Sequence, residues 1–423
     1  MAGTGGLSTA DLDAFVAEVA AELPPGSVLV ALSGGADSAA MAYAVAGSGA
    51  PARAVTVHHH LPGSGSLVRA ATEIADHLGL EHVIIDAPGG DTETELRQSR
   101  LEALEKARDS AEWILTGHTR DDQAETVLGN LIRGAGSGGL RGIPRRRFPW
   151  ARPLLGIPRD RARAVARAAE LPFVDDPQND DVSVRRNRLR QEVIPLLERE
   201  FNPGLREALA RTADFVAADD EMLEARAGEV PIRHDEEAVL VPAAALVALP
   251  APVAARVARR ALRIVLDPYP GTAADVAAVL AAVSGTAGQI AGGFLAQREG
   301  PYVAVHAGEP PSPPEPVGLE IPGEVVFGPW RVVSGAPGSA GLGRHGAVVP
   351  EGPLVVRAAR PGDRIAIPGG AKKVSDALSE AGVPSRLRAR WPVLESDGRI
   401  VWVVAIRVAA GQGGDVGVAA VKT

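Results

Sequence analysis

Two short segments of this 423-residue chain carry residue types whose spacing suits phosphate chemistry. The first is Ser33-Gly34-Gly35-Ala36-Asp37-Ser38, between the apolar run Val28-Leu29-Val30-Ala31-Leu32 and the small-residue stretch Ser38 to Ala46. Paired glycines let the backbone turn tightly and present its N–H groups. Ser33 and Ser38 add hydroxyl donors, and a helix start adds partial positive charge. Together these residues form an anion cradle of the kind that binds a pyrophosphate. It is not a Walker A loop, because no Gly-Lys pair occurs and the only lysines are Lys106, Lys372, Lys373 and Lys422. Asp37 beside bound phosphates would repel them unless a cation intervenes, so Mg2+ is the natural companion and Asp37 its candidate ligand. The bland alternative is a Gly-rich strand–helix turn capped by Asp37 and Ser38. The complete hexapeptide at the first strand of an α/β pattern favours the anion site.

The second segment is Gly117-His118-Thr119-Arg120-Asp121-Asp122-Gln123-Ala124-Glu125-Thr126. Ala124, Val127, Leu128, Leu131 and Ile132 recur at helical spacing and predict a buried stripe. Asp121 and Glu125 then share one face near the helix start, and His118 precedes them at the carboxyl end of a strand. In open α/β sheets ligands bind at that edge, so both segments are expected on one rim. Acids in a first helical turn often only answer the helix dipole. That reading covers one carboxylate, but explains His118, three acids and Gln123 together poorly.

The elements that must position these residues alternate along the first third of the chain. A helix is predicted over 10–22, strands at Val28–Leu32, Arg53–Val57, His82–Ile85 and Trp113–Thr116, and helices at Ser38–Ala46, Leu67–Leu78 and Glu93–Asp109. This alternation predicts a doubly wound parallel α/β sheet. Residues 158–225 look mainly helical, and alanine-rich helical patterns run to about Val283. The Pro-rich stretch 309–317 reads as a linker. Short β-like runs at Glu324–Phe327, Val355–Arg357 and Ile400–Val404 predict a small α+β domain. The expected domains are therefore 1–200 catalytic, 201–308 helical, and 318–423 α+β, in keeping with roughly 150 residues per domain.

Composition narrows the chemistry. Aromatic residues are only 4%, so Ala, Val and Leu must fill the core. The formal net charge of −8 rules out a wholly basic nucleic-acid coat but not local basic patches. With no cysteine, disulfides, cysteine-ligated zinc, iron–sulfur clusters and a catalytic thiol are excluded. No basic-then-apolar leader stands at Met1–Thr9, and the most apolar stretch, Ala243–Val257, is broken by Pro250, Pro252 and Arg256. A soluble, cytoplasmic protein without a membrane span is expected.

The hexapeptide 33–38 closely resembles the signature of the PP-loop (N-type) ATP pyrophosphatases, which cleave ATP between its α and β phosphates and adenylate an oxygen of their substrate. Gly117–Ile143 is similar to the GHxxDDQxET…RGxGxxGLxG block of the tRNA(Ile)-lysidine synthase family. Glu93-x3-Arg97-x2-Arg100, Arg152-Pro153-Leu154-Leu155, Asp176-Pro177-Gln178-Asn179 and Arg186-Asn187-Arg188-Leu189-Arg190 also match that family. Val356-Arg357, Arg360-Pro361-Gly362-Asp363, Lys372-Lys373-Val374-Ser375-Asp376 and Pro392-Val393-Leu394 resemble its C-terminal domain. Thr119 stands where a second histidine is common, and His58-His59-His60 replaces a more usual His-x-Asp/Asn-His-Gly stretch. The resemblance implies ATP-dependent ligation of free L-lysine to C2 of the wobble cytidine of tRNA(Ile) with a CAU anticodon. The cytidine would be adenylated first, and lysidine, AMP and pyrophosphate would be the products.

On that reading Ser33, Gly34, Gly35, Ala36, Asp37 and Ser38 bind ATP, and Asp37 holds Mg2+. His118, Asp121, Asp122, Glu125 and Arg186 join Asp37 as catalytic candidates, with the three α-helical acids orienting the cytidine, the metal or the lysine. Arg97, Arg100, Arg133, Arg141, Arg145, Arg190, Arg357, Lys372 and Lys373 are the candidate tRNA contacts. The basic run Arg133, Arg141, Arg145, Arg146 and Arg147 is the local footprint for RNA phosphates. Gly134, Gly136 and Gly139 satisfy G-x-G-x-x-G but follow a helix, so no dinucleotide site is expected; the loop reads instead as a flexible surface closing over RNA. The histidine triplet lacks partners at zinc spacing and reads as a polar strand end. A homodimer is among the expectations. Thiolases and glutaminase-coupled synthetases would need cysteines. An NAD synthetase-like adenylating enzyme and a non-catalytic nucleotide- or RNA-binding module remain as rivals.

Overall fold

A computed structural model describes residues 7–60, 64–87, 92–109, 112–175, 181–235, 237–267, 271–309, 311–336, 346–411 and 414–422. The Asp176–Asn179 match lies outside these residues. Two compact units emerge, Met1–Met222 and Leu223–Thr423.

In the first unit the alternation runs α1 (Thr9–Ala21), β1 (Val28–Ala31), α2 (Ala36–Ser48), β2 (Ala52–His58), α3 (Ser64–Leu78), β3 (Glu81–Asp86), α4 (Glu93–Ala107), β4 (Trp113–Leu115) and α5 (Arg120–Ile132). The short α6 (Ser137–Leu140), β5 (Arg146–Arg147), β6 (Trp150–Ala151) and α7 (Arg159–Ala168) follow. The sheet order is β3-β2-β1-β4-β6-β5. All pairings are parallel except β5–β6. β1 shows why both faces are covered. Val28 and Val30 join the core of α1, α2, α3 and α7, whereas Leu29 faces the other way onto Val55, Ile114 and Leu104 of α4. A strand buried on both faces needs a continuous apolar run, and Val28–Ala31 is one. Because β2 and β4 flank β1 on opposite sides, the chain reverses its winding direction there and a crevice opens at the carboxyl ends.

The helical stretch after α7 contains α8 (Arg185–Arg188), a π-helical turn at Leu189–Val193, α9 (Ile194–Glu200) and α10 (Leu205–Gly228). The boundary between the units falls inside α10 rather than at residue 200. In the second unit the expected helices appear as α11 (Ala243–Ala248), α12 (Ala251–Val265) and α13 (Ala273–Ala281). They pack on a sheet that the alanine-rich pattern did not reveal, made of β7 (Arg233–His234), β8 (Ala238–Pro242), β9 (Gly288–Ile290), β10 (Phe294–Glu299) and β11 (Tyr302–Ala307). α11, α12 and α13 stand between β8 and β9, so the alanine-rich helical pattern dominates this stretch of sequence.

The β-like runs expected further on coincide within one residue with strands Gly323–Phe327, Leu354–Ala358 and Arg399–Val403. The Pro-rich stretch does not separate two compact bodies. The buried Arg386 side chain reaches back across it to Glu299 (3.1 Å) and to Asp235. Among the described residues no helix is long and apolar enough to cross a membrane.

Candidate active site

The loop between β1 and α2 is closed by its own hydrogen bonds. Ser38 Oγ donates to the Gly35 carbonyl (2.9 Å) and accepts from the Ser33 backbone N–H (3.1 Å), and the two hydroxyl groups stand 3.0 Å apart. Gly34 has φ +82°, and a Cβ there would lie 2.1 Å from the Leu67 carbonyl oxygen, so only glycine fits. Ala36 and Ser38 are buried in the first turn of α2, whose N-cap is Gly35.

The second segment meets this loop because Gly117 has no side chain. A Cβ on Gly117 would come within 3.0 Å of Ser38 N and 3.1 Å of the Asp37 carbonyl carbon. The loop after β4 thus lies against the start of α2, and the two segments share the rim beside β1.

Asp122 is the N3 residue of α5. Its Oδ2 accepts from both the backbone N–H and the hydroxyl of Thr119, each at 2.8 Å, so the capping role common to first-turn acids is real here. Its Oδ1 does something else: it receives Arg159 Nη2 at 2.8 Å and Arg186 Nη2 at 2.7 Å. Glu125 accepts from Arg159 (3.1 Å), from Arg186 Nε (2.9 Å) and from Arg190 Nε (2.7 Å) and Nη2 (3.1 Å). Asp121 turns to the Arg159 backbone N–H (2.9 Å) and to Arg206 Nε (3.0 Å). Arg159 completes the set by reaching Asp37 Oδ2 with its Nε at 3.2 Å. Four carboxylates therefore meet four guanidinium groups, and one of them, Arg159, touches both segments.

Burial alone would raise the carboxyl pKa of Asp122 and Glu125. The guanidinium groups of Arg159 and Arg186 around Asp122, and of Arg190 and Arg159 around Glu125, overcome it and hold both below the ordinary range. Asp37 is different. Desolvation dominates, Arg159 only partly offsets it, and its pKa is raised to about 6. Its Oδ1 is buried and finds no hydrogen-bond partner among the described residues. A carboxylate oxygen left without a partner beside a phosphate cradle is a fitting ligand for Mg2+, which binds through one or two carboxylates plus phosphate oxygens.

His118 Nδ1 pairs with Thr116 Oγ1 at 2.8 Å, and burial pushes the imidazole pKa down to about 3, with Arg152, Arg186 and Arg100 adding to the shift. The ring is neutral at pH 7. A neutral imidazole can orient a polar group by hydrogen bonding.

Sequence reasoning missed Arg159 and Arg206. Arg159 carried one signal: it stands first in α7, where a cation opposes the helix dipole, so a compensating anion was required. Two candidate tRNA contacts are engaged by carboxylates within the fold. Arg190 is bound to Glu125 in the acid cluster. Arg357 is 7% exposed and held by Asp363 (2.8 and 3.1 Å) and Glu395 (2.6 Å). Both match a basic motif whose charge is used inside the fold.

Arg141 and Arg145 pair with Asp220 and Asp214, each at 3.2 Å, and Lys372 pairs with Glu380. Arg97, Arg100, Arg133 and Lys373 are exposed. The glycine-rich loop is pinned rather than loose: Gln123 bonds both N–H and C=O of Ile143 (2.7 and 3.2 Å), and Asn130 Nδ2 bonds the Gly139 carbonyl (2.6 Å). The α5 stripe is buried only through Leu128. Leu131 and Ile132 are exposed because the last turn of α5 runs past the core toward this loop.

Comparison with known proteins shows the family of the chain. Residues 9–197 match the family described as the PP-loop domain, and residues 354–420 match the TilS substrate C-terminal domain. The chain is 46% identical over 219 residues to the tRNA(Ile)-lysidine synthase of Salinispora arenicola, covering 48% of this chain and 66% of that protein. It is 44% identical over 234 residues to the Salinispora tropica enzyme of that name, covering 51% and 70%. The corresponding values for the Thermobifida fusca enzyme are 41% over 255 residues, covering 56% and 78%. With the cradle, the acid–arginine cluster and these relatives in agreement, the chain belongs to the tRNA(Ile)-lysidine synthase family.

Proposed function

We propose that this chain ligates free L-lysine to C2 of the wobble cytidine of tRNA(Ile) bearing a CAU anticodon, at the expense of ATP. The C2 carbonyl of cytosine is a poor electrophile. Transfer of AMP to its oxygen releases pyrophosphate and turns that oxygen into a leaving group. The lysine ε-amine then attacks C2 and AMP departs, leaving lysidine, which pairs with A instead of G.

The observation that carries this reading is the bond between Arg159 and Asp37, which joins the anion cradle to the acid–arginine cluster. In the proposed complex the N–H groups and hydroxyls of residues 33–38 bind the phosphates of ATP. Asp37 Oδ1 would be a ligand of Mg2+, and the ion would supply charge neutralisation for the departing pyrophosphate. The acids of α5 hold Arg159 and Arg186 in fixed positions, and preoriented guanidinium groups of this kind stabilise charge that develops on phosphate oxygens. Asp121 acts more remotely, anchoring the first turn of α7 from which Arg159 projects. His118, neutral and held by Thr116, would orient a substrate polar group. Arg97 and Arg147 stand close enough to Arg152 to add to the burial effect that pulls its pKa down to about 10, and Arg97 is likewise near Arg100. We assign tRNA phosphate contact to this cationic edge, and to Arg133 and Lys373.

The test is incubation of the full chain with ATP, Mg2+, radiolabelled lysine and candidate tRNAs, followed by nucleoside analysis. Labelled lysidine in tRNA(Ile)-CAU, and none in methionine tRNA, is the expected result. Bound ATP without pyrophosphate release in the presence of the tRNA would point to a non-catalytic module instead.

A further inference from the structure

The histidines that close β2 have a partner that sequence spacing could not reveal. β2 and β3 run parallel in a register that sets His58 beside Asp86. His60 turns back with φ +55°, a left-handed backbone that few non-glycine residues adopt, and its Nε2 lies 2.8 Å from Asp86 Oδ1. His58 Nδ1 stands 3.8 Å from the same oxygen, and the two imidazole centroids are 4.0 Å apart. One ligand atom from each of His58, His60 and Asp86 falls within 4.8 Å of the others. Ligands about 2.0–2.1 Å from a tetrahedral ion stand roughly 3.3 Å from one another, so the observed separations bracket what a single ion requires.

The surroundings suit the same purpose. His58 Nε2 lies 3.0 Å from Ser64 Oγ at the start of α3. With the proton on Nε2, that contact leaves the Nδ1 lone pair facing His60 and Asp86, the outer-shell arrangement that orients a ligating imidazole. Two imidazoles and a carboxylate favour zinc-class transition ions over Mg2+ or Ca2+, which prefer oxygen ligands throughout.

We propose that His58, His60 and Asp86 form a three-ligand site for a zinc-class divalent ion, with the fourth position open to water. It is distinct from Asp37, which follows β1, and it does not depend on the proposed reaction. α3 links the two regions: its first turn carries Ser64, which supports the site, and Leu67, whose carbonyl packs against Gly34 of the phosphate cradle. An ion at the site would therefore brace the turn on which the cradle rests.

The experiment uses the full chain freed of metal by chelator dialysis and titrated with Co2+ and with Zn2+. Binding is followed by cobalt d–d absorption, by calorimetry and by thermal melting. Wild type is compared with His60→Ala, Asp86→Asn and, as a control, His77→Ala on the exposed face of α3. The expected result is one ion per chain, Co2+ displaced by Zn2+, and a rise in melting temperature with zinc. Affinity should fall at least about tenfold in His60→Ala and in Asp86→Asn, with no change in His77→Ala. Circular dichroism of metal-free samples checks folding; both altered side chains are largely exposed (62% and 75%), so the variants should fold. Wild-type binding no tighter than that of His60→Ala, or full stoichiometry and affinity retained in both variants, overturns the proposal and leaves an ordinary His60–Asp86 hydrogen bond.

Discussion

Arg159 Nε stands 3.2 Å from Asp37 Oδ2, so the first residue of α7 bridges to the second residue of α2 while its other two nitrogens hold Asp122 and Glu125 on α5. One guanidinium thus fixes three elements around the crevice. Removing one partner of a buried ion cluster leaves uncompensated charge and costs about 3–5 kcal/mol. Arg159→Ala should lose stability on that scale in urea unfolding and should lose ATP-dependent AMP formation. Arg159→Lys should recover little of either, because a single ammonium cannot reach three carboxylates at once. Wild-type stability in Arg159→Lys would show that charge alone suffices.

The cradle depends on backbone shape at Gly34. An alanine there must adopt φ +82° and place its Cβ 2.1 Å from the Leu67 carbonyl oxygen, strain of at least about 1–3 kcal/mol. Gly34→Ala should weaken ATP binding by about tenfold or more in equilibrium dialysis while leaving tRNA affinity nearly unchanged. Equal losses of both would indicate general unfolding rather than a damaged cradle.

Asp37 makes a signed pH prediction. Its carboxyl keeps its proton in the folded chain up to about pH 6 but ionises near 3.8 when unfolded. Between those values the folded state binds more protons, so this group's contribution to stability falls as pH rises through the window. Asp37→Asn removes that linkage. The stability of Asp37→Asn relative to wild type should therefore increase from about pH 4 to about pH 7, by no more than about 3 kcal/mol. Urea unfolding at the two pH values measures the difference, and a gap that stays constant would mean Asp37 is already ionised at low pH. Asp122 and Glu125 act in the opposite sense. Their pKa values are lowered, so their stabilisation is present above the unfolded carboxylate pKa and is lost as pH falls below it.

Two basic residues of the C-terminal segment should separate cleanly. Arg357 is paired inside the fold, so Arg357→Ala should lower the melting temperature. Lys373 is exposed, and Lys373→Ala should leave melting unchanged while weakening tRNA binding and flattening its salt dependence by about one unit of log–log slope. A drop in tRNA affinity for Arg357→Ala with unaltered melting would reverse these roles.

The sheet was legible because β1 and β4 are apolar runs, β2 and β3 carry β-branched residues, and helical patterns alternate with all four. β5 and β6 were not read, because two-residue strands carry no period. The sheet of β7 to β11 was hidden by the alanine-rich helices around it. Likewise Leu131 and Ile132 fit the helical stripe perfectly well in sequence, and their exposure depends only on where the core stops.

The order of residues alone settled the local chemistry of this protein: a Gly-Ser bend after an apolar strand, a helix bearing three acids, and the absence of any thiol. These follow from nearest-neighbour backbone preferences and side-chain types, which do not need a partner to be defined. The tertiary structure decided the charge state and the pairing. Arg159 lies 122 positions from Asp37, His60 lies 26 from Asp86, and which cation answers which carboxylate depends on strand register and on the water removed around them. Desolvation and distance are properties of the folded chain, and they bury Arg357 among its carboxylates and draw the half-buried Arg190 onto Glu125.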